Sequence, residues 1–495
     1  MSTDRVRPGI ATHYLRYLGT NAMVVAAGFV SFPLLARLLD NRQFGLLGYY
    51  EAWGLLLAAL LKLGTQHAIL RFYPHGGDAA DRARFRIAHV LWPFALSLLL
   101  WGACLLGLLW LLPRVPAAER PLLVILLLGV PLTVWSSLVE AVMYALERSD
   151  ISLWLKTSWR WSELLVVLLL LGFVERSALG VLAGKFVVLL GVALWLSHWF
   201  RRWSRDASPA PAWRQVRIAG LAFGLPMMCS ELSALAFGFA DRILLRALGT
   251  SLHDIGVYTI GYGLAMALGT LVGATLNQAF TPTAIRLYAE GGAEAVRALK
   301  QRLLDAWVWA VALGCALLLA GGEELLVLLA GSDKAASGPV FVVVATTLVC
   351  YSLLEVAQYG MLLQRRALRF LLVSLTATGF NLVLNVPLIL HYGVAGAAWA
   401  TAASYVLLAW LQYRHCPREL RYLPATSRVL RAACLPLATT TVLQASDWFG
   451  AELVWSRLLL GTGFVLVAAL VVMLAQPELR AGWRHVRLRR AVRTA

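Results

Sequence analysis

Long apolar runs, separated by short polar segments rich in arginine, set the pattern of this chain. A helix rises 1.5 Å per residue, so ~17 or more mostly apolar residues cross ~30 Å of hydrocarbon. Fourteen such runs occur: 17–36, 44–66, 87–112, 122–146, 157–174, 178–199, 216–238, 254–280, 303–321, 336–362, 370–390, 393–413, 429–445 and 456–475. The shortest are 157–174 and 429–445. The pattern predicts an all-α integral membrane protein of about fourteen transmembrane helices.

Composition strengthens this expectation. Of 495 residues, 60% are hydrophobic and 14% charged, and mean hydropathy is +0.72. A soluble domain averages about 45–50% apolar and about 25% charged residues. The net charge of +18 is scattered between apolar runs, so it does not indicate nucleic-acid binding. It records orientation, because short cytoplasmic loops collect Lys and Arg. With a cytoplasmic N-terminus, 33 of the 44 basic residues fall on the cytoplasmic side. Arg37, Arg42, Arg114, Arg120, Arg176, Arg242, Arg246, Lys334 and Arg457 fall opposite, and Lys62 and Lys185 lie inside spans. A wrong helix count in the middle would invert the bias downstream. No inversion occurs, so both termini are expected in the cytoplasm. The basic tail from Arg480 to Arg493 is expected to sit on anionic phospholipid at ~1 kcal/mol per charge.

Several function classes drop out. The segments between runs are short, leaving no room for a soluble catalytic domain. There is no Walker loop, Rossmann glycine pattern or HExxH. A membrane glycan polymerase or ligase is expected to carry a large external loop, which is missing. The six cysteines contain no CxxC and indicate neither a disulfide framework nor a zinc site. The first run passes into Phe32-Pro33-Leu34-Leu35-Ala36-Arg37 with no small-x-small cleavage site, so no cleavable leader is expected.

An internal repeat organises the runs. Arg71, Tyr73, Gly76, Gly77 and Arg82 match Arg286, Tyr288, Gly291, Gly292 and Arg297 at an offset of 215. The same offset relates Ser137, Glu140 and Tyr144 to Ser352, Glu355 and Tyr359. Phe44-Gly45 resembles Ile255-Gly256 at offset 211, and Gly180 matches Gly396 at offset 216. Six spans separate the copies, so both halves have the same orientation, related by a pseudo-twofold axis along the membrane normal. We therefore expect two six-helix lobes, 1–207 and 208–418, and a terminal segment 419–495 holding two helices and the basic tail. The stretch Ser208-Pro209-Ala210-Pro211 suits the linker between lobes.

Three stretches carry a family resemblance. Ser31-Phe32-Pro33-Leu34-Leu35-Ala36-Arg37-Leu38-Leu39 with Gln43-Phe44-Gly45-Leu46 resembles the first helix and loop of Wzx-type polysaccharide flippases. Asp241-Arg242-Ile243-Leu244-Leu245 with Gly256-Val257-Tyr258 is similar to their seventh helix and its exit. Asn381-Leu382-Val383-Leu384-Asn385 with Tyr392-Gly393-Val394-Ala395-Gly396-Ala397-Ala398 resembles their eleventh and twelfth helices. The resemblance implies the multidrug/oligosaccharidyl-lipid/polysaccharide exporter superfamily, with a MATE-like fold. It implies movement of a polyprenyl-pyrophosphate-linked oligosaccharide from the cytoplasmic to the periplasmic leaflet of the bacterial inner membrane. Partners would be that lipid-linked substrate, a polysaccharide polymerase and chain-length machinery, with the flippase itself a monomer. No cofactor is implied beyond a proton or sodium gradient, whose use stays open.

A sugar head with two phosphates cannot cross bare hydrocarbon, because unpaired charge in a low dielectric costs many kcal/mol. Ionisable residues inside spans are therefore the first candidates. Lys62, Lys185, Arg37 and Arg242 are candidates for a cationic cavity, against the alternatives of snorkelling and of loop anchoring. Arg71 and Arg286 occupy equivalent loops and are assigned to gating or orientation. Glu231, read as a lone deep carboxylate, heads the ion-coupling candidates, followed by Glu163. The repeat-related Glu140 and Glu355 are either coupling sites or structural bonds within each lobe. Asn381 and Asn385 share a helix face and could meet sugar hydroxyls or bond between helices. A drug or cation exporter of the same superfamily is the main alternative, and it would require an acidic rather than basic cavity; a membrane glycan polymerase or ligase, despite the missing external loop, is the third.

Overall fold

In the computed structural model the described residues are 23, 26–146, 149–204, 214–364, 366–448, 463 and 465. The fourteenth span, the basic tail and the linker 208–211 lie outside them. Among the described residues all regular structure is helical. The longer helices are α1 (Ala26–Leu38), α2 (Asn41–Lys62), α3 (Thr65–Phe72), α4 (Ala79–Phe85), α5 (Trp92–Leu111), α6 (Arg120–Ala145) and α7 (Ser149–Phe173). They continue as α8 (Ala178–Trp203), α9 (Arg214–Ala247), α10 (Leu252–Ala330, broken at Gly292 and Gly321), α11 (Gly338–Glu355), α12 (Gln358–Leu363), α13 (Ala367–His415) and α14 (Thr426–Trp448). A π-helical turn, Arg86–Leu91, joins α4 to α5.

Nine stretches among the described residues are long and apolar enough to cross a bilayer, against fourteen runs in the sequence. Leu368–His415 holds two of the runs, because the chain leaves helical geometry at Gly393 (φ 55°). The runs at 157–174 and 429–445 form α7 and α14, but these helices carry too many charged or polar residues to stand among the nine. The first run is described only from α1 onward.

The chain packs as two compact units, Met1–Thr259 and Ile260–Ala495. This division does not coincide with the repeat boundary near 207/208, because α9 packs on α2 and α3. In the first unit α6 packs on α2, α3 and α8, and α7 on α8. Leu138, Val139, Val142, Met143, Leu196 and Phe200 centre its core. Trp135 Nε1 donates to Ser197 Oγ at 2.8 Å across α6 and α8. In the second unit Phe280, Ala284, Val296, Leu304, Val356 and Leu420 form a separate core.

Lipid offers no hydrophobic drive between helices, so close contact over small residues matters more than burial. The starts of α2 and α10 show this. A Cβ on Gly45 would overlap the carbonyl of Leu252, and one on Gly256 would overlap the carbonyl of Asn41. Leu252 precedes Gly256 by four residues, as Asn41 precedes Gly45. The repeat-related glycines therefore make reciprocal contacts, as a local twofold requires.

The helix ends follow from local chemistry. Asp40 caps α2 by accepting from the Gln43 N–H at 2.7 Å, and Ser177 caps α8 by accepting from Gly180 N–H at 3.2 Å. The other end of α2 is unusual. The run 44–66 reads as one span, yet the helix stops at Lys62. Leu63 takes φ 53°, the only positive value at a described non-glycine residue, and Gly64 follows at φ 64°. Left-handed backbone at a leucine is strained. Thr65 Oγ1 satisfies the interrupted helix by donating to Lys62 O at 2.7 Å. The joint is pinned by α9, whose Gly224 carbonyl lies where a Gly64 Cβ would be.

Candidate functional site

Both deep lysines lie in the first unit, and both are ion-paired. Lys62, at the last turn of α2, binds Glu231 of α9. Gln66 Nε2, on the first turn of α3, donates to the other Glu231 oxygen at 2.6 Å. The break at Leu63–Gly64 is what allows this convergence, because it turns Lys62 and Gln66 toward one carboxylate. Glu231 is thus not the lone acid the sequence suggested; its partner lies 169 residues away. The side chains of Lys62 and Glu231 are 13% and 23% exposed.

Lys185, on α8, pairs with Glu51 of α2 and lies 3.8 Å from Glu163 of α7. Arg160, one turn before Glu163, sits 3.3 Å from the same carboxylate. The four charges alternate Glu51, Lys185, Glu163, Arg160 and sum to zero. They line a cavity of about 490 Å³ walled by α2, α6, α7 and α8, with Phe239 of α9 also lining it. Its other lining groups include Tyr50, Thr133 and Trp159, with apolar residues such as Leu126, Val130 and Phe186. Tyr50 belongs to a second network, donating to Glu119 at 3.0 Å, and Arg246 holds the other oxygen of Glu119 at 3.0 Å. The cavity offers ionised groups of both signs inside a membrane bundle and is neutral overall, rather than the cationic cavity expected from Lys185 alone, because Glu51 and Glu163 pack against the lysine.

The remaining candidates fall elsewhere. Arg242 is buried on α9, donating to Gly238 O at 2.9 Å with its guanidinium near the rings of Phe239 and Tyr258. Asp241 beside it accepts from Tyr258. Arg37 is exposed near the end of α1. Arg71 lies 4.5 Å over the ring of Phe223, which ties α3 to α9, while Arg286 is exposed. Glu140 is held by Lys156 at 3.3 Å and by the Tyr144 hydroxyl at 3.1 Å. Glu355 ends α11 with its carboxylate beside Gly273. Asn381 and Asn385 are fully buried rather than open to sugar. Asn381 Nδ2 donates to Ser404 Oγ at 3.3 Å across the Gly393 break, and Asn385 Nδ2 donates to Asn381 O at 2.9 Å.

Sequence reasoning missed Glu51, Gln66 and Arg160. Glu51 carried a usable signal: it is an acid inside an apolar run, the criterion that selected Glu231. Gln66 and Arg160 sat at run edges and looked like boundary residues.

A helical membrane bundle with ionised groups buried among its spans defines the class, a multi-pass membrane protein built like a transporter. Comparison makes this specific. The profile of the family described as polysaccharide biosynthesis protein matches residues 16–287, more than half of the chain. The chain belongs to that family. A relative, the probable flippase AglR of Haloferax volcanii, is 30% identical over 206 residues, 40% of this chain and 42% of the relative. The match thus spans about two-fifths of that relative's length. Among solved structures, the lipid II flippase MurJ in an inward closed conformation superposes with a TM-score of 0.72 at 10% identity. It covers 93% of this chain and 98% of the other. An inward-facing multidrug resistance MATE family transporter of the MOP superfamily gives 0.55 at 16% identity, over 83% and 94%. At these identities the likeness is one of fold.

Proposed function

We propose that this protein is a flippase. It carries a polyprenyl-pyrophosphate-linked oligosaccharide from the cytoplasmic to the periplasmic leaflet of a bacterial inner membrane, without chemical change to the cargo. The observation that carries the proposal is the intramembrane cavity of the first unit, where Lys185 and Arg160 alternate with Glu51 and Glu163. A pyrophosphate entering there can take Lys185 or Arg160 from its carboxylate, while sugar hydroxyls meet the groups left behind. Family membership, the fold shared with a lipid II flippase and the partial match to a probable flippase support the same conclusion. In this proposal the cavity opens to the two leaflets in turn, and both termini are cytoplasmic. Glu231 is the site where a proton or sodium gradient couples, by competing with Lys62 for its carboxylate.

The test is reconstitution into vesicles containing a fluorescent polyprenyl-pyrophosphate oligosaccharide, with an impermeant quencher reporting the leaflet. Wild-type protein should move the probe, and Lys185→Ala should slow it by about tenfold or more, the equivalent of one lost charge-assisted contact. Unchanged flipping in Lys185→Ala and Arg160→Ala together would refute the role of the cavity. Glu51 and Glu163 favour a second reading, export of an organic cation. That reading predicts cation uptake into the same vesicles, abolished by Glu51→Gln and indifferent to Lys185→Ala.

A further inference from the structure

A second concavity lies outside the bundle, between α7 and α8. The two helices touch closely at Gly184, where a Cβ would lie 2.8 Å from Val167. Toward the other end of the pair, the facing residues include Ser158, Ser162 and Gly191, too small to fill the space. A groove of about 700 Å³ results, walled by Trp154, Trp159 and Trp195. Trp154 is 75% exposed and Trp195 43% exposed, so the groove opens on the membrane-facing side. A Cβ on Gly191 would meet nothing within 4 Å, so the floor of the groove is open.

Two observations connect this groove to the cavity. Trp159 lines both, and the groove residue Val188 is followed by the cavity residue Leu189. The cations nearest the groove in sequence, Lys156 and Arg160, flank Trp159, and Arg160 itself lines the cavity. A charged compartment and a mostly apolar trough thus share the Trp159 indole as a wall. An amphiphile with a charged head and a long hydrocarbon tail matches both, and Lys156 and Arg160, exposed beside the groove, favour an anionic head.

We infer that the groove between α7 and α8 holds the polyprenyl tail of the lipid carrier, with the pyrophosphate reaching past Trp159 to Arg160. The inference rests on the flippase proposal. Flat indole faces and small polar floors accept a methyl-branched chain at several depths without fixing it, as a tail that must slide requires. From Trp154 to Ser162 the α7 wall runs ~12 Å, close to the ~15 Å hydrocarbon half-thickness of one leaflet. With the orientation proposed above, that leaflet is the cytoplasmic one. The tail would stay in the groove while the head is handed inward.

The test uses full-length protein in vesicles with a diazirine-tagged polyprenyl pyrophosphate lacking sugars, and in parallel a diazirine-tagged phosphatidylglycerol. The prenyl probe should label peptides spanning 154–162 and 188–195, and excess unlabelled polyprenyl pyrophosphate should compete. Gly191→Leu fills the floor without a backbone clash and should cut labelling by about tenfold. Ser158→Leu, on the opposite wall, should do the same if Gly191→Leu fails to insert. Equal labelling by the phosphatidylglycerol probe, or labelling unchanged in both variants, overturns the inference. Because the readout is binding, it is independent of the flipping assay. Flipping at the wild-type rate in Gly191→Leu, with label elsewhere, would reject the groove and leave the flippase proposal standing.

Discussion

Removing the ammonium of Lys62 tests the joint between α2 and α3. In Lys62→Met, Glu231 keeps only the Gln66 amide. At a contact separation of ~3 Å and an effective dielectric of ~20, the pair attracts by about 5 kcal/mol before desolvation. Breaking a fully buried pair from one side costs about 3–5 kcal/mol. Exposures of 13% and 23% leave these groups partly solvated, so the cost here should be smaller. We expect about 1–3 kcal/mol of coupling from a double-mutant cycle over Lys62→Met, Glu231→Gln and the double variant. For a unit of this size that is a fall in Tm of roughly 2–12 °C for Lys62→Met, largely recovered in the double variant. The assay is thermal unfolding in nanodiscs. The charge swap Lys62→Glu with Glu231→Lys should recover Tm but not flipping, if the carboxylate must face the coupling ion from α9. Independent, additive effects of the two single variants would refute the pairing. A swap that restores both Tm and transport would reduce it to a packing bond.

Two further outcomes follow from other parts of the molecule. Gly64→Ala should fail to fold or insert, because its left-handed backbone and the Gly224 carbonyl both exclude a side chain, whereas Gly191→Ala, which meets open space, should leave Tm within about 1 °C; expression with size-exclusion chromatography and a melting curve distinguish them. In the loop before α14, burial, the hydrogen bond to Asp305 and its charge push the Tyr422 hydroxyl from 10.0 up to about 12. Because the folded value is raised, the stabilising bond is present below pH 10 and is lost as pH climbs from 10 to about 12. The difference between ultraviolet titrations of wild type and Tyr422→Phe should show one tyrosine ionising near 12, and a Tyr422 that ionises near 10.0 would contradict the 2.7 Å bond.

Hydropathy exposed the spans whose apolar length is uninterrupted, such as α5, and was blind where polar residues extend a helix. The run at 157–174 understates α7, which starts at Ser149 and carries Trp154 and Lys156 on an extra two turns. It was blind again at 44–66, since Leu63 is apolar and glycine does not lower hydropathy enough to show a break. The deep lysines stood out because a charge among apolar neighbours is a local signal. Their partners did not, because Lys185 and Glu51 are 134 residues apart and only the packed bundle joins them. Buried amides were the opposite case: the shared face of Asn381 and Asn385 was visible, but the corner at Gly393 that turns Ser404 onto it was not.

The alternating charges in the cavity have a kinetic consequence. A site whose cations already hold carboxylates has little far field, so it cannot draw anions from a distance. Under the proposed function, an incoming pyrophosphate would have to replace Glu51 or Glu163 at Lys185, exchanging one ion pair for another of similar strength. The affinity is then a small difference between two comparable interactions. When the cargo leaves, the displaced carboxylate returns to its lysine and drives it out. Weak retention of this kind suits a protein whose task is to let go on the far side.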